Sequence, residues 1–326
     1  MPYTYLQMNR TEVFNSVRGI LSNAGFYVSD MCSMRPVGFD LVARRDNSLL
    51  IIKVLTNIDA MSENVAKELR VLSILLDGHP LLIGERSGTG FLENDVIYDR
   101  FGIQAITPET LGNHLLEGIP LKIYAGPGGF YVKLDKEKLI KLRQDQNVSL
   151  GSFARSVKVS RRTVRMYEEG MNARVEVALR IEELLDSNVT LSMDILKTQY
   201  SKKKEVETIC GETETFREFQ KEIFTILKQV GYEIIPMERC PFEAVSRDKE
   251  KILLTCVHKY DKKLLKKAQI ISSISKITEK HAVLFTDKEV DRTNIECTPL
   301  IIKKELKKLR DPEELFELII ERICVD

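Results

Sequence analysis

One pattern of apolar and turn residues occurs near both ends of this 326-residue chain, and it constrains the fold more than any other feature. In each copy a helix with one apolar face stops at a glycine, Gly25 in the first and Gly231 in the second. Two strand-like runs, a helical stretch and a further strand follow. The order helix, two strands, helix, strand therefore predicts two α/β domains related by internal duplication. The apolar positions of the first helices are Val13, Val17, Ile20, Leu21 and Phe219, Ile223, Ile226, Leu227.

A later match between the copies is the dipeptide Asp-Arg, which precedes an isoleucine at Asp99-Arg100 with Ile103 and at Asp291-Arg292 with Ile295. Between the copies lies LKIYAGPGGFYVKL, in which glycines of free φ can close two β-type runs into a hairpin. The second division is a polar and charged stretch from Thr198 to Glu214, which we interpret as a linker. These divisions predict three domains, 1–130, 131–198 and 199–326.

The overall charge by itself does not favour a nucleic-acid partner, because 49 Lys and Arg balance 48 Asp and Glu to a net charge of +1. The longest apolar runs are too short to cross a bilayer and the N-terminal residues lack a signal-peptide pattern, so a cytoplasmic protein is expected. Six cysteines occur without a C-x-x-C pair and four histidines do not cluster near them. We therefore expect no zinc site, disulfide framework or cofactor.

In the first copy an acidic residue precedes a hairpin whose second strand carries a lysine, Asp40 and Lys53. This spacing resembles the PD-(D/E)xK nuclease fold, in which two carboxylates hold a metal and the lysine orients water. The second acidic position, however, is Ile51, and a hydrocarbon cannot bind Mg²⁺. We interpret the pair as a degenerate remnant, with Asp40 a surface carboxylate and Lys53 a strand lysine.

The second copy retains less of that motif, since Glu243 takes the acidic position while Leu254 and Cys256 replace the second acid and the lysine. Both outer domains are therefore expected to be nuclease-like folds without catalytic residues or a metal. An enzymatic alternative stays open, in which carboxylates from neighbouring helices complete a metal site in the first copy. The candidates are Glu12, Glu63 and Glu68.

The middle segment from Leu139 to Leu185 has apolar residues at the spacing of a small helical bundle. Ser149 and Ser160 each precede a helical stretch and are expected to cap it. Together with the turn KVS, these features resemble the Cro/C1-type helix-turn-helix family. The predicted core is Leu139, Leu142, Phe153, Ala154, Val157, Val159, Val164, Tyr167, Val177, Ile181, Leu184 and Leu185.

Basic charge is concentrated in this segment, because residues 150–174 carry six Lys and Arg against two Glu. The resemblance places Arg161, Arg162, Arg165 and Met166 on the outward face of the recognition helix, where arginine can read guanine and methionine can touch a thymine methyl. The surrounding residues are better placed for phosphates. The full set of predicted DNA contacts is Arg155, Lys158, Ser160, Arg161, Arg162, Thr163, Arg165, Met166, Asn172 and Arg174.

Two positions depart from the Cro/C1 pattern. Leu150 stands where a glutamine commonly contacts a phosphate and braces the recognition helix, and it can do neither. Lys158 stands where glycine often occupies the turn, so either a left-handed backbone or a different turn is expected there.

The order of the three parts resembles a group of archaeal HTH-type transcriptional regulators. The predicted fold is multidomain α/β plus all-α, with two nuclease-like α/β domains flanking a Cro/C1-type helix-turn-helix bundle. The resemblance implies a non-enzymatic, sequence-specific regulator of transcription that binds double-stranded DNA as a homodimer, with no membrane contact and with an effector or protein partner on the outer domains. Two alternatives remain, a metal-dependent nuclease or other DNA-processing enzyme and an assembly scaffold that binds no DNA.

Overall fold

The computed structural model describes residues 9–34, 37–197, 216–249 and 251–323. These residues form two compact units. The first unit contains residues 9–20, Leu55–Asp59 and Leu82–Ile195. The second contains Leu21–Val54, Ala60–Leu81 and the described residues from Leu196 onward. The linker predicted at Thr198 to Glu214 lies outside the described residues.

The helices begin and end close to the predicted capping residues. Their bounds are α1 Arg10–Asn23, α2 Glu63–Leu76, α3 Pro108–Leu116, α4 Lys136–Asp145, α5 Leu150–Ser156, α6 Arg161–Glu168, α7 Val175–Leu185, α8 Glu218–Val230, α9 Lys262–Thr278, α10 Lys303–Leu306 and α11 Pro312–Arg322, with a 3-10 turn at Ile58–Ala60. No helix among the described residues is long and apolar enough to cross a membrane.

The strands are short and numerous. Their bounds are β1 Tyr27–Val28, β2 Leu41–Arg45, β3 Ser48–Val54, β4 His79–Ile83, β5 Arg86–Ser87, β6 Gly90–Phe91, β7 Val96–Arg100, β8 Ile103–Ile106, β9 Ile123–Gly126, β10 Gly129–Leu134, β11 Ala173–Arg174, β12 Thr190–Leu191, β13 Glu233–Pro236, β14 Ala244–Asp248, β15 Lys251–Val257, β16 His281–Thr286, β17 Asn294–Ile295 and β18 Thr298–Ile302.

In the first unit the predicted hairpin forms, with β9 and β10 antiparallel and joined through Gly126 and Gly129. Strand β9 pairs parallel to β7, which pairs antiparallel to β8. Strand β10 also pairs with β11 and β12, which flank α7 in the chain. Alternation along β10 turns Val132 and Leu134 towards the core of helices α4 to α7. The hairpin and the four helices therefore share one apolar core.

In the second unit β13 to β18 form a six-stranded sheet in the order β13-β14-β15-β16-β18-β17. Strands β15, β16 and β18 are parallel, and β15 is nearly continuously apolar, as expected for a strand covered on both faces. Helices α8 and α11 pack their apolar sides on this sheet. Strands β1, β2 and β3 form an antiparallel group in the same unit.

The predicted order of elements is confirmed in both copies, with one additional short strand, β1 or β13, after the first helix. The Asp-Arg part of the sequence match was wrong. Asp99 and Arg100 end strand β7, whereas Asp291 and Arg292 precede strand β17. The two dipeptides therefore occupy different positions relative to their strands.

Candidate nucleic-acid interface

The four helices α4 to α7 enclose one core that contains every predicted core residue of the middle segment. Leu142, Val159 and Leu184 are partly buried at its edge, and the other nine are buried. Leu150, the residue in place of the usual glutamine, also packs against this core. Its side chain therefore contributes apolar contact where a glutamine would have contributed polar bonds.

The predicted caps at α5 and α6 are present. The Ser149 hydroxyl accepts from the Ser152 N–H at 3.1 Å, and the Ser160 hydroxyl accepts from the Thr163 N–H at 3.0 Å. The turn between the helices passes through Lys158 at φ 57°, so the left-handed alternative is the one adopted. Such a backbone is uncommon for a residue with a Cβ and costs about 1 kcal/mol or more relative to glycine.

Helix α6 has two distinct faces. Val164 and Tyr167 are buried, and burial raises the pKa of the Tyr167 hydroxyl. Arg162, Arg165 and Met166 are exposed on the opposite side. This eight-residue helix therefore presents two guanidinium groups and a thioether to solvent while its aromatic residue anchors it in the core.

Arg161, the first residue of α6, lies against the first turn of α5. A Cβ added to Gly151 would lie 2.7 Å from Nη2 and 2.8 Å from Nε of Arg161. Glycine at this position therefore leaves the space that the guanidinium occupies. The sequence placed Arg161 with the outward residues, and the structure adds that its side chain rests on α5.

The positive charge of this surface is not neutralised locally. Within the described part of the chain, Arg155, Lys158, Arg161, Arg162 and Arg165 form no ion pairs. By contrast, one of the two nearby glutamates is removed from the surface. Glu168 accepts from Arg143 Nε at 2.6 Å, with side chains only 15% and 12% exposed.

Asn172 and Arg174 lie beyond the C-terminus of α6 and are both exposed. Arg174 belongs to β11, opposite Tyr131 of the hairpin, and its guanidinium lies 6.0 Å from the centre of that ring. Burial raises the pKa of the Tyr124 hydroxyl on β9, and the neighbouring Asn172 side chain opposes that effect. The hairpin therefore contacts two of the predicted phosphate ligands, a link that the sequence did not indicate.

The nuclease-like remnant lies in the second unit, and there the expectation of a surface carboxylate was wrong. Asp40 is fully buried and Lys53 is 8% exposed. The Asp40 carboxylate accepts from the Val54 N–H at 2.7 Å and lies 3.6 Å from Lys53 Nζ, which donates to the Val37 carbonyl at 2.8 Å. A charge can be buried in this way because a cation and an N–H group compensate it.

Glu243, the residue that the sequence pattern aligns with Asp40, has a similar set of contacts in the C-terminal segment. Its carboxylate accepts from the Val257 N–H at 2.9 Å, fourteen residues along the chain, the same separation as for Asp40 and Val54. Its cation comes from Lys267 on helix α9, because the strand position holds Cys256. Burial lowers the pKa of Lys267. The neighbouring Cys256 and Glu243 raise it by more than burial lowers it, so the net shift of this pKa is upward.

The residues around Asp40 do not fit a catalytic divalent metal. Ile51 is fully buried and offers no oxygen, and the Asp40 carboxylate lies against Lys53, whose ammonium group would repel a divalent cation. In the ranges that the structure describes, no three His, Cys, Asp or Glu side chains cluster in a way that could hold a metal.

The proposed replacement carboxylates are engaged elsewhere or exposed. Glu68 accepts from the Arg239 N–H at 2.7 Å and from its guanidinium at 3.4 Å, and burial nevertheless raises its pKa. Glu63 is exposed at the start of α2. Glu12 accepts from the Asn9 N–H at 2.7 Å at the start of α1.

Comparison with known proteins matches both parts of the chain. Residues 10–121 match the PD-(D/E)XK superfamily domain, and residues 139–191 match a helix-turn-helix family model. A protein of Methanosarcina acetivorans named "Putative HTH-type transcriptional regulatory protein" is 37% identical over 97% of this chain and 98% of its own length. The chain belongs to this archaeal family. Relatives of the same description in Methanocella arvoryzae and Natronomonas pharaonis are also 37% identical, over 97% of this chain and 97% and 99% of their own lengths. No solved structure matches.

Lys267 was not identified from the sequence as a partner of Glu243. It lies on the helix that follows the strand pair, eleven residues after Cys256. The signal available was the missing strand lysine itself, since a buried carboxylate at Glu243 requires a cation from another element.

Proposed function

We propose that this chain is a sequence-specific regulator of transcription that binds double-stranded DNA through a Cro/C1-type helix-turn-helix. The observation that carries this proposal is the outer face of α6, opposite the buried Val164 and Tyr167. Its exposed arginines form no ion pairs within the described residues. The family name of the relatives and the helix-turn-helix match support it. A recognition helix in the major groove contacts bases with its N-terminal half and outer face.

In this proposal Arg162 and Arg165 read base edges, because a guanidinium can donate to O6 and N7 of guanine together. Met166 contacts a thymine methyl group. Arg161, supported by Gly151, reaches the bases or phosphates at the start of the helix. The residues assigned to phosphates or to the helix cap beside them are Arg155, Lys158, Ser160, Thr163, Asn172 and Arg174.

A second proposed property is a homodimer. One helix-turn-helix contacts one half-site through a small surface, and two-fold pairing doubles that contact and requires a palindromic site. Light scattering of the full chain and footprinting on a selected duplex test this. A monomer that protects a single half-site would contradict it.

We further propose that 1–130, 131–198 and 199–326 are the three domains, and that 199–326 is a degenerate second copy of the nuclease-like domain. The shared element order and the matching bonds of Asp40 and Glu243 support this. Both carboxylates are engaged by backbone N–H groups and lysines, so we propose no catalysis there. The outer domains then serve assembly or bind an effector.

The test separates base reading from charge. A duplex is selected from a random-sequence pool with the full chain, and a scrambled duplex of the same composition serves as the control. Arg162→Ala should cost about 1 to 3 kcal/mol on the selected duplex and little on the scrambled one, because the lost contact carries sequence information. Arg155→Ala should weaken both duplexes alike and reduce the salt slope by about one.

Equal losses for the two variants on both duplexes would refute base reading by Arg162. If the unaltered chain bound neither duplex at low salt, the scaffold hypothesis would replace this proposal. The arginines would then belong to a surface that binds another protein.

A further inference from the structure

The hairpin of β9 and β10 is attached directly to the segment that leaves the proposed recognition helix. Tyr131 pairs with Arg174 and Val132 with Ala173, so β10 forms a ladder with β11. Strand β11 begins at Ala173, five residues after α6 ends at Glu168. The hairpin therefore keeps a definite position relative to the end of α6.

The two faces of this small sheet differ in chemistry. Val132 and Leu134 face the helical core, and Tyr131 and Lys133, which alternate with them along β10, lie on the opposite face. In register with Tyr131 on either side are Tyr124 of β9 and Arg174 of β11. The two rings stack with centres 5.9 Å apart, and the Arg174 guanidinium lies over Tyr131.

The tip of the hairpin is held in one shape. The Tyr131 hydroxyl donates to the Pro127 carbonyl at 2.7 Å, and Gly128 and Gly129 adopt φ values of 78° and 148°. Both glycines are exposed. A Cβ added to Gly128 would lie 3.6 Å from Nη2 of Arg174. The exposed tip and the guanidinium therefore form one continuous surface.

The charged side chains on the strands of this small sheet are all basic. Residues 119–134 contain Lys122 and Lys133 and no Asp or Glu, and residues 170–175 contain Arg174 and no Asp or Glu. Within the described residues Arg174 forms no ion pair. Basic side chains without ion pairs, next to exposed backbone, attract polyanions such as the phosphate backbone of DNA.

We infer that the β9–β10 hairpin is a second DNA-binding element, which contacts backbone phosphates of the duplex beside the segment bound by α6. The inference rests on the proposed function and deepens it. Phosphates are favoured over stacked bases of a single strand because the Tyr131 ring is already covered by Tyr124 and Arg174. The hairpin thus adds affinity and orientation without adding base readout.

The experiment uses two substitutions that differ in charge alone. Gly128→Asp introduces a carboxylate beside Arg174, and Gly128→Asn introduces a neutral side chain of the same shape; both residues tolerate positive φ better than other non-glycine residues. The probe is a labelled mixed-sequence duplex of about 30 base pairs, titrated with the full chain at several salt concentrations. Gly128→Asp should weaken binding by about 3- to 30-fold at low salt and reduce the salt slope by about one, with Gly128→Asn within about twofold of the unaltered chain.

The inference would be overturned if both variants and the unaltered chain had identical affinities and salt slopes. The proposed function would stay intact in that case if Arg162→Ala still lost binding to its selected duplex. Equal losses for the Asp and Asn variants would also overturn it, because the effect would then be steric. If Gly128→Asp weakened binding to a labelled single strand of the same length but not to the duplex, the surface would bind unpaired nucleic acid instead. Absence of binding by the unaltered chain would overturn both proposals.

Discussion

The buried pair of Glu243 and Lys267 should behave as a structural unit, and this can be tested by a double-mutant cycle. Their side chains are only 14% and 10% exposed, and the Glu243 carboxylate also accepts from the Val257 N–H. Lys267→Met removes the cation and leaves a buried carboxylate, which should destabilise the fold by about 3 to 5 kcal/mol. Glu243→Gln leaves a buried ammonium and should cost a similar amount.

The double variant Glu243→Gln, Lys267→Met should recover most of this loss, because glutamine can still accept from Val257 and no buried charge remains. The interaction energy of the cycle should therefore be several times larger than the roughly 0.5 kcal/mol expected for independent sites. Urea denaturation followed by circular dichroism measures it, since the chain contains no tryptophan.

Hydrogen exchange of a peptide that contains Val257 shows whether the effect is local to this pair. A cost below about 1 kcal/mol for each single variant would refute the reasoning, because it would mean that water reaches both charges. A double variant that loses the full sum of the single effects would refute it as well. In that case the two side chains would contribute independently.

Three further expectations follow from other contacts. Gly151→Ala should change the free energy of unfolding by less than about 1 kcal/mol yet weaken DNA binding, because the added methyl group displaces the flexible end of Arg161. Thermal melts and DNA titrations on one preparation test this, and an unchanged affinity for DNA would contradict it. With Mg²⁺ or Mn²⁺ the chain should leave duplex, single-stranded and branched DNA uncut, and metal-dependent cleavage abolished by Asp40→Ala or Lys53→Ala would reverse this reading. Burial raises the pKa of Cys32 to about 11, so its thiol stays protonated at pH 8 and should resist alkylation until denaturant is added. Mass spectrometry can follow the alkylation, and rapid labelling of the native protein would show that the thiol is accessible.

The local features of the helix-turn-helix could be predicted closely from the sequence. Apolar spacing identified the core of α4 to α7, and the serines at 149 and 160 cap their helices as expected. The order of elements in both α/β copies was also predicted. In each case the signal is local, since it is the spacing of apolar residues along one element or a cap beside the first turn of its helix.

The exposure of the nuclease-like remnant could not be predicted in the same way. Asp40 was expected on the surface, although the structure buries it completely beside Lys53. A polar residue in a strand pattern is ordinarily exposed, and whether both faces of that strand are covered depends on the elements packed around it. Only the three-dimensional arrangement shows that a lysine and an N–H group compensate this carboxylate.

The sequence alone determined the order helix, two strands, helix, strand near both ends of the chain, where α5 and α6 are capped, and that basic charge is concentrated around α6. The tertiary structure decided which charges are paired with each other. Arg143 pairs with Glu168 across 25 residues, and Lys267 reaches Glu243 across 24. Such pairs form between different elements, and their geometry follows from how the helices and sheets pack. Sequence spacing carries no direct record of that packing, whereas periodicity and capping act within a single element.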